Sequence, residues 1–256
     1  MQVSVPITMN KSSESINISN NTPQYSSKLV QLPRRSDSGQ LLASANGQGQ
    51  VTNLGLTDES GNNPENLPLQ VHPLHSSWVF WFMHRPPGQK LVDYEGAMKR
   101  ISAFSSIEEF WAVYSHLRRP HELPTISDYH LFKDGIRPVW EDEANINGGK
   151  WIVRFKKGLA SRFWENLVLG MIGQQFDVGD EICGAVISIR HSEDILSIWN
   201  KTAKDGETNT TIRDTLKKIL NLPSEVVMEY KSHNDALKDN SSFRNTDVYN
   251  GGSSLK

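Results

Sequence analysis

The sequence predicts an α+β domain in which helices pack on one face of a largely antiparallel sheet. Three segments carry apolar residues at helical spacing, and short strand-like runs lie between them. Interleaving of this kind also occurs in parallel α/β folds. Here, however, several runs are adjacent pairs that a short turn could join, which favours hairpins.

The predicted strands are β-branched and aromatic runs bounded by turn residues. The first is SWVFWFM at 77–83. YHLFKDG and WIVRFKKG follow, turning at Gly135 and Gly158, and the loop WEDEANINGG lies between them. EICGAVISIR and DILSIWNKT are separated by a polar HSE turn, and VVMEYKSH is predicted as the last strand.

The predicted helices are recognised by their caps and apolar stripes. Ser105 and Ser106 each precede a glutamate by three residues, the capping-box pattern, so a helix should begin there and end before Pro120. A second helix should begin near Leu159 and stop at Gly173. A third should start around Thr210 and end before Pro223.

Composition divides the chain into three parts. Residues 1–70 are rich in Ser, Asn and Gln and contain one aromatic residue, Tyr25, so we expect a disordered tail. The folded domain should cover 71–249, followed by a flexible tail at 250–256. No basic start with an apolar run and no span of membrane length is present, which predicts a soluble protein that is not secreted.

Charge and motif content narrow the function. A net charge of −2 argues against a protein that coats nucleic acid, so any nucleic-acid site must be small and local. The eight histidines show no metal-ligand spacing, and no phosphate-loop or nucleophile-elbow motif occurs. We therefore expect no metal, no cofactor and no catalytic residues. Cys183 is the single cysteine and is expected to be an inert buried thiol.

The stretch RPVWEDEANINGGKW at 137–151 carries the candidate site. Trp140 and Tyr94 both lie in polar, turn-rich surroundings, where either ring could stack on a planar ligand. Trp140 covering a loop edge, Tyr94 as ordinary surface and Glu141 as part of a solvated acidic loop are the alternatives.

Basic residues near this stretch could hold phosphates. Lys150 and Arg154 lie on the same face of a predicted strand, and Arg190 ends another strand. The alternative is a solvated charged face.

Seven ordered motifs make the chain resemble a known family. HPLHSSWVFWF, FSSIEEFWAVYSHL, LFKDGIRPVWEDEANINGGKW, RFWENLVLGMIG, CGAVISIR, ILSIWNKT and LNLPSEVVMEYKSH resemble the mRNA cap-binding translation initiation factor 4E family over roughly 71–249. GLASRFWENL, SEDILSIWNKTA and EYKSHNDALKDNSSFRNT are most similar to its divergent 4E-homologous, or novel cap-binding, subclass. The resemblance implies a cupped eight-stranded antiparallel sheet, three long helices on its convex face, and the 7-methylguanosine cap in the concave side.

The resemblance also implies roles for seven residues. Trp140 matches the family's stacking tryptophan, and Tyr94 stands where the initiation factors have a second tryptophan and the subclass has tyrosine. Glu141 matches the carboxylate that binds the guanine edge. The resemblance places Trp199 against the N7 methyl group and assigns the phosphates to Arg190, Lys150 and Arg154. Ser192 and Ile195 stand where the initiation factors are basic, so weaker cap binding is expected.

A second surface matches the family's partner-binding face. Pro73, Ile107, Trp111 and Leu169 match the dorsal surface on which partners dock a Tyr-x-x-x-x-Leu-apolar helix. Ile107 and Leu169 could instead be core residues, whereas Trp111 is expected to be exposed. The expected partner is a scaffold initiation factor or a repressor that carries such a helix. Glu165 stands where the initiation factors usually have leucine, which disfavours the large scaffold subunit and suggests a different choice of partner.

Together these features predict a non-catalytic adaptor that binds capped mRNA and recruits initiation machinery or a repressor. We expect it in the cytoplasm, with the nucleus as a second location. The alternative is a protein-interaction module with a weak or decayed cap slot. A decapping hydrolase is disfavoured because the sequence lacks an acidic metal-binding cluster at helical spacing.

Overall fold

A computed structural model describes residues 71–86, 88, 93–250 and 253–255 of the chain. The tail predicted for 1–70 lies outside these residues. The short tail predicted for 250–256 is described only in part. Within the described residues, no helix combines the length and the apolar composition needed to span a membrane.

The described residues form one antiparallel sheet with five α-helices. The strands are β1 Pro73–His84, β2 Lys99–Ser106, β3 Ser127–Lys133, β4 Gly149–Lys156, β5 Ile182–Ile189, β6 Glu193–Asn200, β7 Met228–Ser232, β8 Asp247–Asn250 and β9 Ser253–Leu255. The helices are α1 Tyr94–Ala97, α2 Ile107–Tyr114, α3 Ala160–Ile172, α4 Gly206–Leu220 and α5 His233–Asp239, with a 3-10 turn at Pro120–Glu122.

The strand order is β2-β1-β3-β5-β6-β4-β7-β8-β9, and each neighbouring pair is antiparallel. The predicted α+β class and antiparallel sheet are therefore confirmed. The eight expected strands are joined by a ninth, the three-residue β9 that pairs with β8. It lies within the stretch predicted as the C-terminal tail.

Alternation along the strands gives the sheet two unlike faces. One, here the helix face, packs against α2, α3 and α4 in a single hydrophobic core. Its strand residues include Trp78, Phe80, Tyr129, Leu131, Trp151, Val153, Phe155, Ala185, Ile187, Leu196 and Ile198. The other, here the open face, carries the intervening residues Asp128, His130, Phe132, Lys150, Ile152, Arg154, Val186, Ser188, Ser197, Trp199, Glu229 and Lys231.

A local cap or glycine marks one end of each of the three longer helices. The predicted start of α2 is confirmed, because the Ser106 side chain accepts a hydrogen bond from the Glu109 amide at 3.1 Å. Gly173 follows the last residue of α3, as predicted. The start predicted for α4 is wrong by four residues, because Asp205 caps the helix by accepting from the Thr208 amide.

Several elements were not predicted. Strand β2 and the short helices α1 and α5 carry no strong periodicity, and β7 is not the last strand. Cys183 is fully buried as expected, and burial raises the pKa of its thiol to about 12.

Candidate functional site

The open face buries polar and charged side chains where the helix face buries apolar ones. Asp128, His130, Lys150, Ser188 and Lys231 are each at most 5% exposed. Burying such groups costs free energy unless they find partners, so a cluster of them indicates a role other than stability.

Trp140 rests on an apolar cluster of this face. The cluster consists of Phe132, Cys183, Val186 and Trp199, and half-buried Trp140 packs against it. The Trp199 ring meets Phe132 edge-on at 5.3 Å between centroids. One side of Trp140 therefore packs on the sheet. A tryptophan that only covered a loop edge would not need this contact.

The loop that carries Trp140 and Glu141 is held by its own polar residues. The Asp142 carboxylate accepts from the amides of Arg137 and Ala144 at 3.2 and 3.1 Å, and the Asn145 side chain donates to two carbonyls. The Gly-Gly pair closes the loop, since a Cβ on Gly148 would lie 1.9 Å from the Asn200 carbonyl oxygen. This architecture fixes the backbone at Trp140.

Tyr94 reaches the same strand as the Trp140 cluster. It is the first residue of α1, is 42% exposed, and its hydroxyl lies 3.2 Å from His130 Nε2. Burial of the hydroxyl, with the charge of Asp128 nearby, raises the pKa of Tyr94 above its usual value. His130 and Phe132 are two residues apart on the open face of β3, so both predicted stacking residues approach neighbouring positions of one strand.

Two contacts connect the loops that carry these rings. Arg137 Nη1 donates to Glu95 Oε1 at 2.8 Å, and Val139 packs with Met83 and Met98. The structure therefore brings Tyr94, Trp140 and Glu141 to one edge of the open face. Glu141 itself is exposed and makes no hydrogen bond with any described residue, which leaves its carboxylate available.

The three predicted phosphate ligands differ in how far they are already neutralised. Lys150 forms no ion pair within the described residues and lies 5.4 Å from the Trp199 ring centre and 4.8 Å from that of Phe243. Burial, and then the charge of Lys231, lower the pKa of Lys150 to about 7. An anion beside Lys150 would raise this pKa and return the side chain to its charged form. Binding of the anion and protonation of Lys150 would therefore favour each other.

The two arginines already have carboxylate partners. Arg190 donates to Asp128 Oδ1 at 2.8 Å and to the Ser127 and Ile189 carbonyls. Arg154 pairs with both Glu193 at 2.9 Å and Glu229 at 2.7 Å. Arg154 lies on the predicted face beside Lys150 but is the least available of the three.

Buried polar atoms without partners concentrate around Trp199 and His130. Of the nine such atoms among the described residues, five are Asp128 Oδ2, His130 Nδ1, Trp199 Nε1 and both ring nitrogens of His233, and a sixth, Trp81 Nε1, comes from the residue opposite His130. His233 begins α5 and lies 4.2 Å from the Trp199 ring, and burial holds its pKa well below the usual value. Unpartnered buried groups are uncommon in native proteins and are the groups that a polar ligand can satisfy.

The sequence analysis missed part of this site. His130, Asp128, Lys231, His233 and Phe243 line it, and none was predicted. The strand pattern held a signal for three of them, since polar residues alternate with apolar ones in SDYHLFK and MEYKS. Phe243 comes from an irregular segment and had no such signal.

The dorsal residues lie on the opposite side. Ile107 and Trp111 are each 44% exposed and are four residues apart on α2, so they share one helix surface. Pro73 is exposed at the start of β1, and Leu169 on α3 is half-buried against the core. The core alternative therefore fits Leu169 better than Ile107. Glu165 pairs with Arg119, whose guanidinium lies over the Tyr114 ring.

An edge with two aromatic rings and a free carboxylate, beside a buried lysine and a paired arginine, defines a binding protein. Its ligand should be flat, should offer hydrogen-bond donors at one edge, and should carry anionic groups. Comparison with known proteins identifies the family within this class.

A family model described as Eukaryotic initiation factor 4E matches residues 73–248. Over 188 residues the chain is 50% identical to the eukaryotic translation initiation factor NCBP of Triticum aestivum, covering 73% of this chain and 81% of that one. It is 46% identical over 200 residues to the eukaryotic translation initiation factor 4E-4 of Caenorhabditis elegans, covering 74% and 94%. The chain belongs to the eukaryotic initiation factor 4E family.

Solved structures give the same result for the fold. C. elegans eIF4E-3, in complex with the 4E-binding protein Mextli and a cap analog, aligns with a TM-score of 0.63 at 35% identity. The alignment covers 66% of this chain and 96% of that one. Ascaris suum eIF4E-3 with m7G cap aligns with a TM-score of 0.61 at 35% identity, covering 64% and 92%.

Proposed function

We propose that this protein binds the 7-methylguanosine 5′ cap of mRNA between Tyr94 and Trp140, with Glu141 reading the guanine edge. The observation that carries the proposal is the support of the two rings by one strand. Tyr94 contacts His130, and Trp140 packs on the cluster that contains Phe132. Same-face neighbours on a strand are about 7 Å apart, so the two rings are anchored at neighbouring positions of the open face.

The chemistry of the cap suits these side chains. Methylation at N7 gives guanine a positive charge, so two aromatic faces provide cation–π attraction in addition to stacking of about 1–3 kcal/mol per base. The Glu141 carboxylate can accept from N1–H and the exocyclic amine together. Adenine lacks this arrangement of donors, so the acid supplies base selectivity.

Lys150 and Arg190 are the proposed phosphate ligands. Lys150 has no carboxylate partner among the described residues, and Arg190 shares its charge with Asp128 alone. Arg154 is held by two glutamates and should contribute less. Together with the uncharged Ser192 and Ile195, this arrangement supports cap binding weaker than that of an initiation factor with additional cations here.

Trp199 is proposed to complete the pocket on the methyl side. It is 5% exposed and belongs to the cluster on which Trp140 packs, and its Nε1 has no partner within the described residues. A Trp at this depth can pack on a methyl group once the purine occupies the slot, as the family resemblance suggests.

The opposite surface is proposed to bind a protein partner through a helix of the form Tyr-x-x-x-x-Leu-apolar. Exposure of Ile107 and Trp111 on one side of α2 supports this, because adjacent exposed apolar residues are typical of helix-docking surfaces. The structure of C. elegans eIF4E-3 with the 4E-binding protein Mextli also supports a protein partner. The Arg119–Glu165 pair would favour a partner helix that places an acidic group near Arg119 or a basic group near Glu165.

These two surfaces describe an adaptor without catalytic activity. The relatives named as initiation factors support a role in translation initiation. The resemblance of the sequence motifs to the divergent subclass favours selective initiation or repression within that role. We propose that the protein acts in the cytoplasm and also in the nucleus. The alternative of a decayed cap slot is disfavoured, because Trp140, Trp199 and Lys150 lie together on the open face and Glu141 is present beside Trp140.

Retention on 7-methyl-GTP resin tests the proposal. Wild-type protein should bind and should elute with free 7-methyl-GTP but not with GTP. Glu141→Gln should lose most retention, since one acceptor becomes a donor, whereas the matched change Glu143→Gln on the same exposed loop should not. Retention that GTP reverses equally well would contradict the cap assignment.

A further inference from the structure

An exposed arginine lies between the two loops that carry the proposed stacking residues. Arg137 belongs to the Trp140 loop, and its guanidinium contacts two carboxylates. Its Nη1 donates to Glu95 Oε1 at 2.8 Å, and its Nε donates to Asp142 Oδ2 at 3.2 Å. Glu95 follows Tyr94 directly in α1, and Asp142 follows Glu141.

We propose that Arg137 is a positioning residue that clasps the two walls of the nucleobase slot. This inference rests on the proposed function, because it assumes that Tyr94 and Trp140 hold one ring between them. The Arg137 side chain donates its hydrogen bonds to Glu95 and Asp142. Arg137 acts through carboxylates one residue from Tyr94 and two residues from Trp140, so it can fix the separation of the walls without contacting the ligand.

The need for such a clasp follows from the unequal support of the two walls. The Trp140 wall is built on Asp142 and Asn145 and packs on the sheet. The Tyr94 wall is a four-residue helix with no buried residue, joined to the sheet through the Tyr94 hydroxyl and Met98. A helix this short has little stability of its own, so its position depends on contacts such as the Glu95–Arg137 pair.

The two carboxylates that Arg137 contacts, those of Glu95 and Asp142, have different roles; each contact is one arm of the clasp. Asp142 also accepts from two backbone amides, so it shapes its own loop whether or not Arg137 reaches across. Glu95 makes its contact with Arg137 across a sequence separation of 42 residues, from a different loop. Breaking the Glu95 arm therefore removes the polar connection between the walls, while the packing of Val139 on Met98 and the Trp140 loop stay intact.

Both partners are about half exposed, so the pair should contribute little to global stability. Its effect should appear in ligand affinity, because a slot whose walls are held in place loses less conformational entropy on binding. Exposed ion pairs of this kind correspond to roughly 2- to 5-fold in an equilibrium constant.

The direction in which ligand affinity changes distinguishes the positioning role of Arg137 from long-range electrostatics. The cap carries phosphates, so removing any nearby negative charge should strengthen binding if only long-range charge matters. Glu95→Gln should then tighten binding, and so should Glu143→Gln, which removes an exposed carboxylate of the Trp140 loop that pairs with no described cation. A clasp predicts opposite signs: Glu95→Gln weakens binding and Glu143→Gln does not.

The test is a double-mutant cycle on the full chain, with 7-methyl-GTP titrated against tryptophan fluorescence at low and high salt. Glu95→Gln, Arg137→Gln and the double variant should each weaken binding about 2- to 5-fold, with the double no weaker than Arg137→Gln. The Glu95→Gln effect should shrink in 0.5 M KCl, while the melting temperature stays within about 1 °C of wild type.

Each of the other outcomes is decisive. Tighter binding by Glu95→Gln, or losses that add in the double variant, would overturn the clasp while wild-type binding upholds the cap assignment. Wild-type protein that does not bind 7-methyl-GTP would overturn both.

Discussion

The two faces of the sheet are formed by the same strands but bury different kinds of side chain. The helix face buries large apolar side chains against α2, α3 and α4, and many are fully inaccessible. The open face buries Asp128, His130, Lys150 and Lys231. Of the nine buried side-chain atoms without a partner in the described residues, six belong to the open face, including Trp81 opposite His130, and to His233 beside it.

The difference separates stability from binding. A buried polar atom left without a partner costs about 1–3 kcal/mol, whereas burial of an apolar side chain is favourable by a similar amount. The helix face therefore stabilises the fold, and the open face retains groups that reduce stability until a ligand contacts them. Substitutions on the two faces should accordingly affect different measurements.

The largest expected effect is on stability and comes from β6. Leu196 is fully buried on the helix face, and its neighbour Ser197 is 5% exposed on the open face. Leu196→Ala should lower the free energy of unfolding by about 2–5 kcal/mol, because a cavity opens in the core. Ser197→Ala should cost less than about 1 kcal/mol. Urea denaturation of both variants measures this contrast, and equal losses would break the distinction between the faces.

The free energy of unfolding should decrease at acid pH, because the open face buries a neutral histidine. Burial lowers the pKa of His130 from 6.5 to about 4, so the folded state keeps the ring neutral. Between pH 6.5 and pH 4 the unfolded chain binds more protons, so stability should fall as the pH drops through this window and be fully present above it. The contribution of His130 amounts to about 2–3 kcal/mol across the window.

Urea denaturation of wild type and His130→Gln between pH 4.5 and pH 7 measures this slope. His233 shifts in the same direction, so the variant should keep part of the dependence. A slope that the substitution leaves unchanged would assign the acid sensitivity elsewhere.

Trp140→Ala should affect binding more than stability. Its half-buried ring packs on the open-face cluster, and removing it takes away one wall of the slot. The affinity for 7-methyl-GTP should fall about 10- to 100-fold, which matches the loss of one stacking surface. Isothermal titration measures the loss, and Trp111→Ala on the opposite side is the control that should bind normally. Comparable losses in both variants would mean that Trp111 supports the fold.

Lys150 should give a smaller, pH-dependent effect. Its pKa of about 7 means that the free protein loses this charge as the pH rises from 6 to 8.5. Phosphate binding favours the charged form, so wild-type affinity should fall over this range about 2- to 5-fold more than that of Lys150→Arg, whose side chain stays protonated. Any titration of the ligand itself is common to both proteins. Parallel pH profiles would argue against Lys150 as a phosphate ligand.

The sequence predicted the elements with strong periodicity and clear caps. Strand β1 and helix α2 followed from an aromatic run and from Ser106, and both are present with the expected type. Helix α4 begins earlier than predicted, because its first turn is polar and its cap, Asp205, lies outside the apolar stripe. Strand β2 was missed because KRISAFSS is largely exposed and lacks a regular apolar pattern.

The site divides in a similar way. Trp140, Glu141 and Lys150 were predicted from unusual residues in a turn-rich stretch and from a family resemblance. His130, His233 and Phe243 come together through pairing of distant strands and through an irregular segment, which local sequence does not encode. The double pairing of Arg154 likewise depends on glutamates 39 and 75 residues away. Such contacts become visible only with the register of the sheet.

Titration of tryptophan fluorescence with 7-methyl-GTP and with GTP tests the central claim most directly. If Tyr94 and Trp140 clasp a cationic purine, 7-methyl-GTP should quench the fluorescence and bind at least about 10-fold more tightly than GTP, since only the methylated base adds the cation–π attraction. Equal affinities for the two nucleotides, or quenching that persists unchanged in Trp140→Ala, would contradict it.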